Sequence, residues 1–243
     1  MKGIFQTLIW FLGLALVTLV MAYIMARPAV AAICPQCFDF QASGEGVYLQ
    51  SSMSDVQRAQ AHAAVDEALA RATAFYGPLE HQPRILICAD DACYHRVGGA
   101  PHSGVGSIGS FAVVVSPLGT NPVYIAAGLS RTELQGRVGF WKFQMGAVPM
   151  WFDEGLAVLV ADDPAFVLPP GHGDRCKAGS FPDMPATPTD WHEELQQEGD
   201  VLYAQSACKV SMWIFENHGP KAVTSLLGDV AQGKDFNTLF PPG

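Results

Sequence analysis

The N-terminal segment is the feature that most constrains what this chain can fold into. Residues 4–26 carry no charged side chain, and the only clearly polar interruptions are Gln6, Thr7 and Thr18. At about 1.5 Å of rise per residue, a helix of this length is long enough to cross a hydrocarbon layer of about 30 Å. Residues 1–31 are therefore expected to lie outside the folded core and to direct the rest of the chain across a membrane.

Two interpretations of this leader remain open. Residues 29–31 read Ala-Val-Ala, a pattern typical of signal-peptide cleavage, whereas the apolar run exceeds the roughly 7 to 15 residues of a usual signal peptide. The length favours a transmembrane anchor, and the small residues favour cleavage near Ala31. Both interpretations place the domain on the periplasmic or other extracytoplasmic side of the cell membrane, either tethered to it or secreted.

The number and position of the cysteines are consistent with export of the domain. All six lie after the leader, at Cys34, Cys37, Cys88, Cys93, Cys176 and Cys208. An even number in an exported domain is most simply explained by disulfides in an oxidising compartment. The short spacings favour bonds between the first two and between the next two, which leaves the last two for each other. A zinc site on the first pair would need a second pair at matching spacing, and the sequence has none.

Charge limits the classes of partner that this chain could bind, and length limits the number of its domains. The chain has 243 residues, of which 14 are basic and 23 acidic. The leader holds two of the basic residues and none of the acidic ones, so the remainder carries a net charge of −11 without a basic cluster. Nucleic acid and anionic lipid surfaces are therefore poor candidate partners. Residues 32–53 show no firm element and are interpreted as a tether, and residues 54–243 as one domain.

Helix signals are strong in the domain. A helix is predicted over residues 55–76, where Ser54 and Gln57 make a capping box and a glycine follows as the stop. An Asn-Pro pair opens a second helix over residues 122–138, which ends at a glycine. Further helices are predicted over residues 150–161, 203–217 and 221–232.

Strand signals are fewer. Residues 84–88 and 111–115 are short runs rich in β-forming side chains and are predicted to be strands. Between them, residues 98–109 hold five glycines without the strand and helix that flank a phosphate-binding loop, so this segment is predicted to be a flexible loop. Residues 164–190 contain six prolines and are predicted to be a long surface excursion. The predicted fold is a small sheet packed on helices, in the α+β class.

Two segments resemble a known family of zinc peptidases. Residues 124–134, which read YIAAGLSRTEL, resemble the His-Glu-Leu-x-His-x-Glu-Leu helix of gluzincin-type, peptidase MA-like domains. Residues 148–157, which read VPMWFDEGLA, resemble the helix that brings the third metal ligand in that family. The closing stretch over residues 203–236 is similar to the terminal helices of the family. The resemblance covers roughly residues 83–240 and implies a thermolysin-like architecture.

The residues that such a metal site requires are absent from the matched positions. Zinc peptidases of this class use two imidazoles four residues apart, a Glu beside the first as the base, and a third ligand from a neighbouring helix. Ala127 and Arg131 stand at the two imidazole positions, and Gly128 stands at the position of the base. Only Glu154 keeps a ligand type, and a permanent cation at position 131 repels zinc. The resemblance therefore implies that the zinc site is lost and that no cofactor is bound.

The resemblance implies an exported, membrane-tethered pseudopeptidase that binds or scaffolds polypeptide without hydrolysing it. In the family, a strand beside the metal helix takes up an extended peptide, and residues 111–116 are the expected counterpart here. One alternative is a divergent zinc metallopeptidase with non-standard ligands. Its candidate ligands are Glu154 together with His95, His102 or His172. Another alternative is a structural accessory subunit of a membrane complex.

A buried Glu154 without zinc would need another positive charge. An isolated buried carboxylate costs several kcal/mol, so Arg131 is predicted to form a salt bridge with it where the metal would lie. The alternative is that Arg131 points to solvent or pairs with Glu133. In the resemblance, Glu133 matches the acidic residue after the second ligand and is expected to be a structural partner, whereas Tyr203 is expected to serve in packing.

Overall fold

The chain folds around a mixed β-sheet. A computed structural model describes residues 10, 13, 17, 27–101, 103–177 and 183–241. In these residues the sheet has five strands in the order β1-β2-β3-β5-β4. The strands are β1 (Phe40–Ala42), β2 (Val47–Gln50), β3 (Arg84–Ile87), β4 (Val105–Ile108) and β5 (Ala112–Val115).

The inner strands are parallel, and the two edge strands are antiparallel to their neighbours. Strand β3 pairs in parallel with β2 on one side and with β5 on the other. Strand β1 pairs antiparallel with β2, and β4 pairs antiparallel with β5, with Val105 opposite Val115. All four residues of β5 are buried, as expected of a strand covered on both faces.

Helices make up the rest of the domain, and their ends follow local sequence signals. The capping box of Ser54 and Gln57 forms, and the side chain of Asn121 accepts hydrogen bonds at the start of the second long helix. The helices are α1 (Asp55–Tyr76), α2 (Asp91–Arg96), α3 (Pro122–Val138), α4 (Phe140–Gln144), α5 (Met150–Ala161), α6 (Pro188–Glu198), α7 (Val201–Glu216), α8 (Lys221–Ala231) and α9 (Phe236–Leu239). The three helices predicted over residues 55–76, 122–138 and 150–161 are confirmed.

The main core lies between one face of the sheet and helices α1, α3, α5 and α7. Helix α5 is its centre, because every residue from 151 to 161 is buried. Gly155 lets α7 approach closely, since a Cβ there would lie 2.5 Å from the backbone carbonyl of Ser206. At the start of α5, the rings of Trp151 and Phe152 pack edge-on against two phenylalanines near the C-terminus, Phe236 and Phe240. Helix α5 is thereby fixed from three sides.

The other face of the sheet is covered by a helical segment over residues 27–33 and by α2. Ala31 and Tyr94 are buried there against Leu86 of β3. The guanidinium of Arg84 donates to the backbone carbonyl of Ala32 at 2.6 Å. Residues 27–31, the last part of the predicted leader, are therefore docked on the domain, and the expectation that all of residues 1–31 lie outside the folded core is wrong for them.

Most of the leader, including nearly all of residues 4–26, lies outside the described residues. Helix α1 is the longest helix in the described part of the chain, and no helix there is both long and apolar enough to cross a membrane. The predicted N-terminal hydrophobic helix and its cleavage therefore stay predictions.

Three longer segments differ from the sequence-based prediction, and the short helices α2, α4 and α9 were not predicted either. Residues 32–53, interpreted as a tether, contribute β1 and β2 to the sheet. Residues 98–109, predicted to be a loop, contain β4. Helix α6 begins at the end of the excursion over residues 164–190 and was not predicted. In each case the segment is short or polar, and its structure depends on pairing or packing with distant parts of the chain.

The cysteines form the three disulfides that their spacing favours, and none of the six is free. The bonds join Cys34 to Cys37, Cys88 to Cys93, and Cys176 to Cys208. Disulfides of this number fit an oxidising, extracytoplasmic location.

Candidate functional site

The two segments that resemble the peptidase family meet at a cavity of about 400 Å³. The cavity is lined by residues of α3, of α5 and of the start of α7, and also by the start of β4. Ala127 and Arg131 lie one helical turn apart on α3 and face the cavity, and Glu154 faces it from α5. The structure therefore brings together three of the four positions at which the sequence predicted a former metal site.

Arg131 and Glu154, which both line the cavity, form an ion pair. The Nη2 of Arg131 donates a hydrogen bond to Oε2 of Glu154. The Nε of Arg131 also lies 4.0 Å from Oδ2 of Asp153. Only 20% of the Arg131 side chain and 8% of the Glu154 side chain are exposed. The predicted salt bridge is confirmed, and the alternatives in which Arg131 points to solvent or pairs with Glu133 are wrong.

Burial and the neighbouring charges change the pKa values of Arg131 and Asp153. Burial alone would lower the pKa of the Arg131 guanidinium, but the charges of Glu154 and Asp153 outweigh it and raise that pKa above its ordinary value. Burial raises the pKa of Asp153 to about 7, against the attraction of Arg131. Oδ1 of Asp153 is buried and has no hydrogen-bond partner among the described residues. A protonated Asp153 leaves Arg131 and Glu154 as a neutral pair.

We expect Asp153→Asn to flatten the pH dependence of stability. The pKa of Asp153 is about 7 in the folded protein and 3.8 without its surroundings, so the folded state binds more protons between these values. The contribution of Asp153 to the free energy of unfolding therefore falls as the pH rises from about 4 to about 7. Chemical denaturation at about pH 5 and about pH 8 measures this difference in each protein. Glu198→Gln at an exposed position is the control, and equal slopes for Asp153→Asn and wild type would contradict the assignment.

Gly128, the fourth matched position, does not face the cavity. It faces the sheet, where an added Cβ would lie 2.7 Å from Cγ1 of Val113 and 2.8 Å from Cγ2 of Val105. Glycine therefore lets α3 pack closely against β4 and β5. A glutamate at this position would collide with both valines, so the close packing of helix and sheet excludes a base here.

Glu133 has a structural role, as the sequence predicted. Its buried carboxylate accepts hydrogen bonds from the backbone N–H groups of Glu80 and His81, each at 3.0 Å. It also accepts from Nε of Arg137 at 2.8 Å. These bonds hold the turn after α1 against α3, away from the cavity.

The remaining wall of the cavity was mostly missed from the sequence. It includes Tyr124, Asp163, Phe166 and Asp200 in addition to Tyr203. The ring of Tyr203 packs against Phe166, with centroids 5.5 Å apart, and against Trp191. Burial raises the pKa of the Tyr203 hydroxyl, and the nearby Glu154 raises it further. These side chains come from separate segments without a shared motif, so no local signal could have grouped them.

The strand expected to take up a peptide is the wrong one. Residues 111–116 include β5, which is paired with β3 on one side and β4 on the other. Strand β4 is the edge, and no other described strand pairs with its outer side. The N–H of Ser116 donates to the carbonyl of Gly104, so the backbone groups of Val105 and Ser107 point away from β5. An open edge therefore starts beside the cavity, which Val105 also lines.

The alternative metal ligands do not converge on Glu154. Nδ1 of His95 lies 3.2 Å from the carbonyl oxygen of Gly99, and His172 lies in the loop after α5. Neither ring lines the cavity, and His102 lies outside the described residues. In the described part of the chain, no group of three or more His, Cys, Asp or Glu side chains is arranged to hold a metal ion.

Comparison of the chain with protein-family models, with curated proteins and with solved structures finds no match.

Proposed function

We propose that this chain is an exported protein, held at a membrane by its apolar leader, whose domain binds extended polypeptide without hydrolysing it. In this proposal the domain is a degenerate peptidase MA-like fold with a thermolysin-like arrangement of sheet and helices. The observation that carries the proposal is the Arg131–Glu154 pair in a cavity beside the open edge of β4.

The ion pair supports the absence of hydrolysis. Arg131 is a permanent cation and is bound to the one matched residue that could serve as a ligand, so a divalent metal would have to displace it. Ala127, at the other imidazole position, has no donor atom. A water molecule in this cavity would lack both the metal and the base that activate it in the zinc peptidases.

The edge of β4 supports polypeptide binding. An extended chain can add to an exposed strand through main-chain hydrogen bonds, and pockets beside the strand then select its side chains. Val105 and Ser107 offer outward backbone groups for that pairing. The adjoining cavity has aromatic walls, from Tyr124 and Tyr203 among others, that suit a side chain of the bound polypeptide.

Ser107→Pro is expected to weaken peptide binding at least about tenfold, which corresponds to about 1.4 kcal/mol. Proline removes the outward N–H of residue 107 and places its ring on the edge, but it leaves the hydrogen bonds between β4 and β5 intact. The measurement is fluorescence anisotropy against a library of 15-residue peptides, followed by titration of the tightest binders.

Ser107→Ala is the matched control, because it removes the hydroxyl and keeps the N–H. It should bind the peptides as the wild type does. Equal loss in both variants would point to the side chain, and undiminished binding by Ser107→Pro would reject the edge as the site. Circular dichroism spectra of the variants show whether the sheet is retained.

The resemblance to zinc peptidases has its own test. Ala127→His combined with Arg131→His is expected to create a two-imidazole, one-carboxylate site with Glu154. Zinc at about 100 times its dissociation constant would then stabilise the protein by about 2.7 kcal/mol and raise its Tm by roughly 5 to 10 °C. The measurement is thermal unfolding with and without zinc, together with metal analysis.

The control for the zinc test carries a single imidazole, in Ala127→His combined with Arg131→Met. It should bind zinc far more weakly, and the wild type should show no zinc-dependent shift. A folded double-histidine variant that gains no stability from zinc would contradict the proposed relation to the metal site. If the wild type instead hydrolyses peptides and Glu154→Ala abolishes that activity, the result would favour a divergent metallopeptidase.

The same peptide library, together with mild detergent extraction, distinguishes the proposed peptide-binding function from the alternative of a structural accessory subunit. Absence of any peptide binding, together with stoichiometric co-purification of membrane proteins, would favour that role over the one proposed here.

A further inference from the structure

Several large apolar side chains are exposed on one side of the domain. Trp141 and Met145 have 74% and 77% of their surfaces exposed, and they lie one helical turn apart at α4. Phe111, in the turn between β4 and β5, and Ile33, at the end of the segment over residues 27–33, are exposed as well. Apolar groups of this size that cluster on a surface mark a place of contact with another apolar body.

These side chains form one continuous surface. Ile33 and Phe111 line a cavity of about 610 Å³ together with Ala29, and polar side chains line its other part, namely Glu80, His81, Gln82 and Arg84. Gly109 joins that surface to α4, because its Cβ position lies 3.3 Å from the ring of Phe111 and 3.5 Å from that of Phe140. The ring of Phe140 is in edge contact with Trp141. We call the surface of Ile33, Phe111, Phe140, Trp141 and Met145 the apolar face.

The position of the docked segment over residues 27–33 indicates what covers this face. The uncharged run of residues 4–26 ends directly before the docked segment over residues 27–33. Ala29, on the first turn of that segment, lines the same cavity as Phe111. A bilayer that holds the leader therefore lies within a few residues of the apolar face. Tryptophan and phenylalanine are side chains that favour the membrane–water interface.

We propose that the apolar face rests on the lipid bilayer in which the leader is anchored, with Trp141 at the level of the lipid headgroups. This inference rests on the membrane tether of the proposed function and adds an orientation to it. Because the exported part is strongly acidic, the contact is to zwitterionic rather than anionic lipid.

The orientation directs the peptide-binding edge of β4 away from the membrane surface. Strand β4 ends next to Phe111, at the bilayer, and starts at the cavity of Arg131 and Glu154. Four residues of extended strand put that cavity about 10 Å further from the lipid. A polypeptide paired with β4 would thus have one end at the membrane surface and a side chain in the cavity.

The test uses the full chain in phosphatidylcholine vesicles with and without bromine on the lipid chains, since bromine quenches only nearby tryptophan. Trp10 lies in the leader and is replaced by Phe in all samples. Of the remaining tryptophans, Trp151 and Trp191 are buried, and Trp213 is only partly exposed. We expect brominated lipid to reduce the fluorescence of Trp10→Phe and the effect to disappear in Trp10→Phe/Trp141→Phe.

A matched control moves the reporter to the opposite edge of the sheet. Val56 is as exposed as Phe111 and lies at the start of α1, beside β1 and β2. Trp10→Phe/Trp141→Phe/Val56→Trp should show no quenching by brominated lipid. Quenching of this reporter to the same extent as Trp141 would overturn the proposed orientation.

Two further outcomes separate this inference from the proposed tether. If the full chain floats with the vesicles while Trp141 is not quenched, the tether stands and the contact of the apolar face with lipid is rejected. The contact with lipid is also rejected if a second copy of the chain shields Trp141 from water in solution and brominated lipid does not quench it. If the chain does not float with the vesicles at all, the tether and this inference both fail.

Discussion

Replacement of Arg131 by Met is expected to lower the free energy of unfolding by about 3 to 5 kcal/mol. The substitution keeps a long apolar stem and removes the charge. Glu154 would then be a buried carboxylate without a counter-charge, next to Asp153, which is also buried. Removing one partner of a buried ion pair is costly because the other partner stays desolvated.

The measurement is chemical denaturation at neutral pH, with Lys234→Met as the control. Lys234 pairs with Asp229 at the surface, where 57% of the lysine side chain is exposed, so its loss should cost no more than about 1 kcal/mol. Arg131→Met combined with Glu154→Gln should recover much of the loss, because the unpaired charge is gone. A cost for Arg131→Met similar to that of the control would show that the cavity tolerates a free carboxylate.

Replacement of both Cys176 and Cys208 by Ser is expected to cost about 3 to 4 kcal/mol. This disulfide joins positions 32 residues apart and fixes the proline-rich segment after α5 to the middle of α7. In the chain-entropy account, a longer closed loop restricts the unfolded chain more and so stabilises the fold more. The segment should also become sensitive to limited proteolysis, because its described residues are held by turns and by one isolated β-bridge between Val167 and Cys176.

The control is replacement of both Cys34 and Cys37 by Ser, which opens a loop with a separation of only 3 residues. It is expected to cost roughly half as much. Denaturation of the two double variants under identical oxidising conditions gives the comparison. A larger loss from the short loop than from the long one would contradict the loop-length account.

Local signals were sufficient for the main helices. The capping box of Ser54 and Gln57, and the Asn-Pro start of α3, act within a single turn, so their consequences do not depend on distant residues. The Arg131–Glu154 pair was predicted for a different reason. A buried carboxylate requires a counter-charge, and the resemblance to the two peptidase helices implied that Arg131 faces Glu154.

The strands and the outer walls of the site did not follow from the sequence. Strand β4 has only four residues, half of them Gly or Ser, and forms because β5 offers it a partner. Residues 111–116 carry the stronger β signal, and that is why they form an inner strand rather than the accessible edge. The direction of Gly128 toward Val113 depends on how α3 lies on the sheet.

The sequence by itself determined the long helices, the favoured disulfide pairs and the chemistry that positions 127, 131 and 154 can provide. These depend on spacing along the chain, on side-chain type and on the cost of burying charge. Only the tertiary structure decided which strand has an open edge, which way Gly128 faces and which distant side chains complete the cavity. Those features are set by long-range packing and strand order, and no single segment of the sequence carries a signal for them.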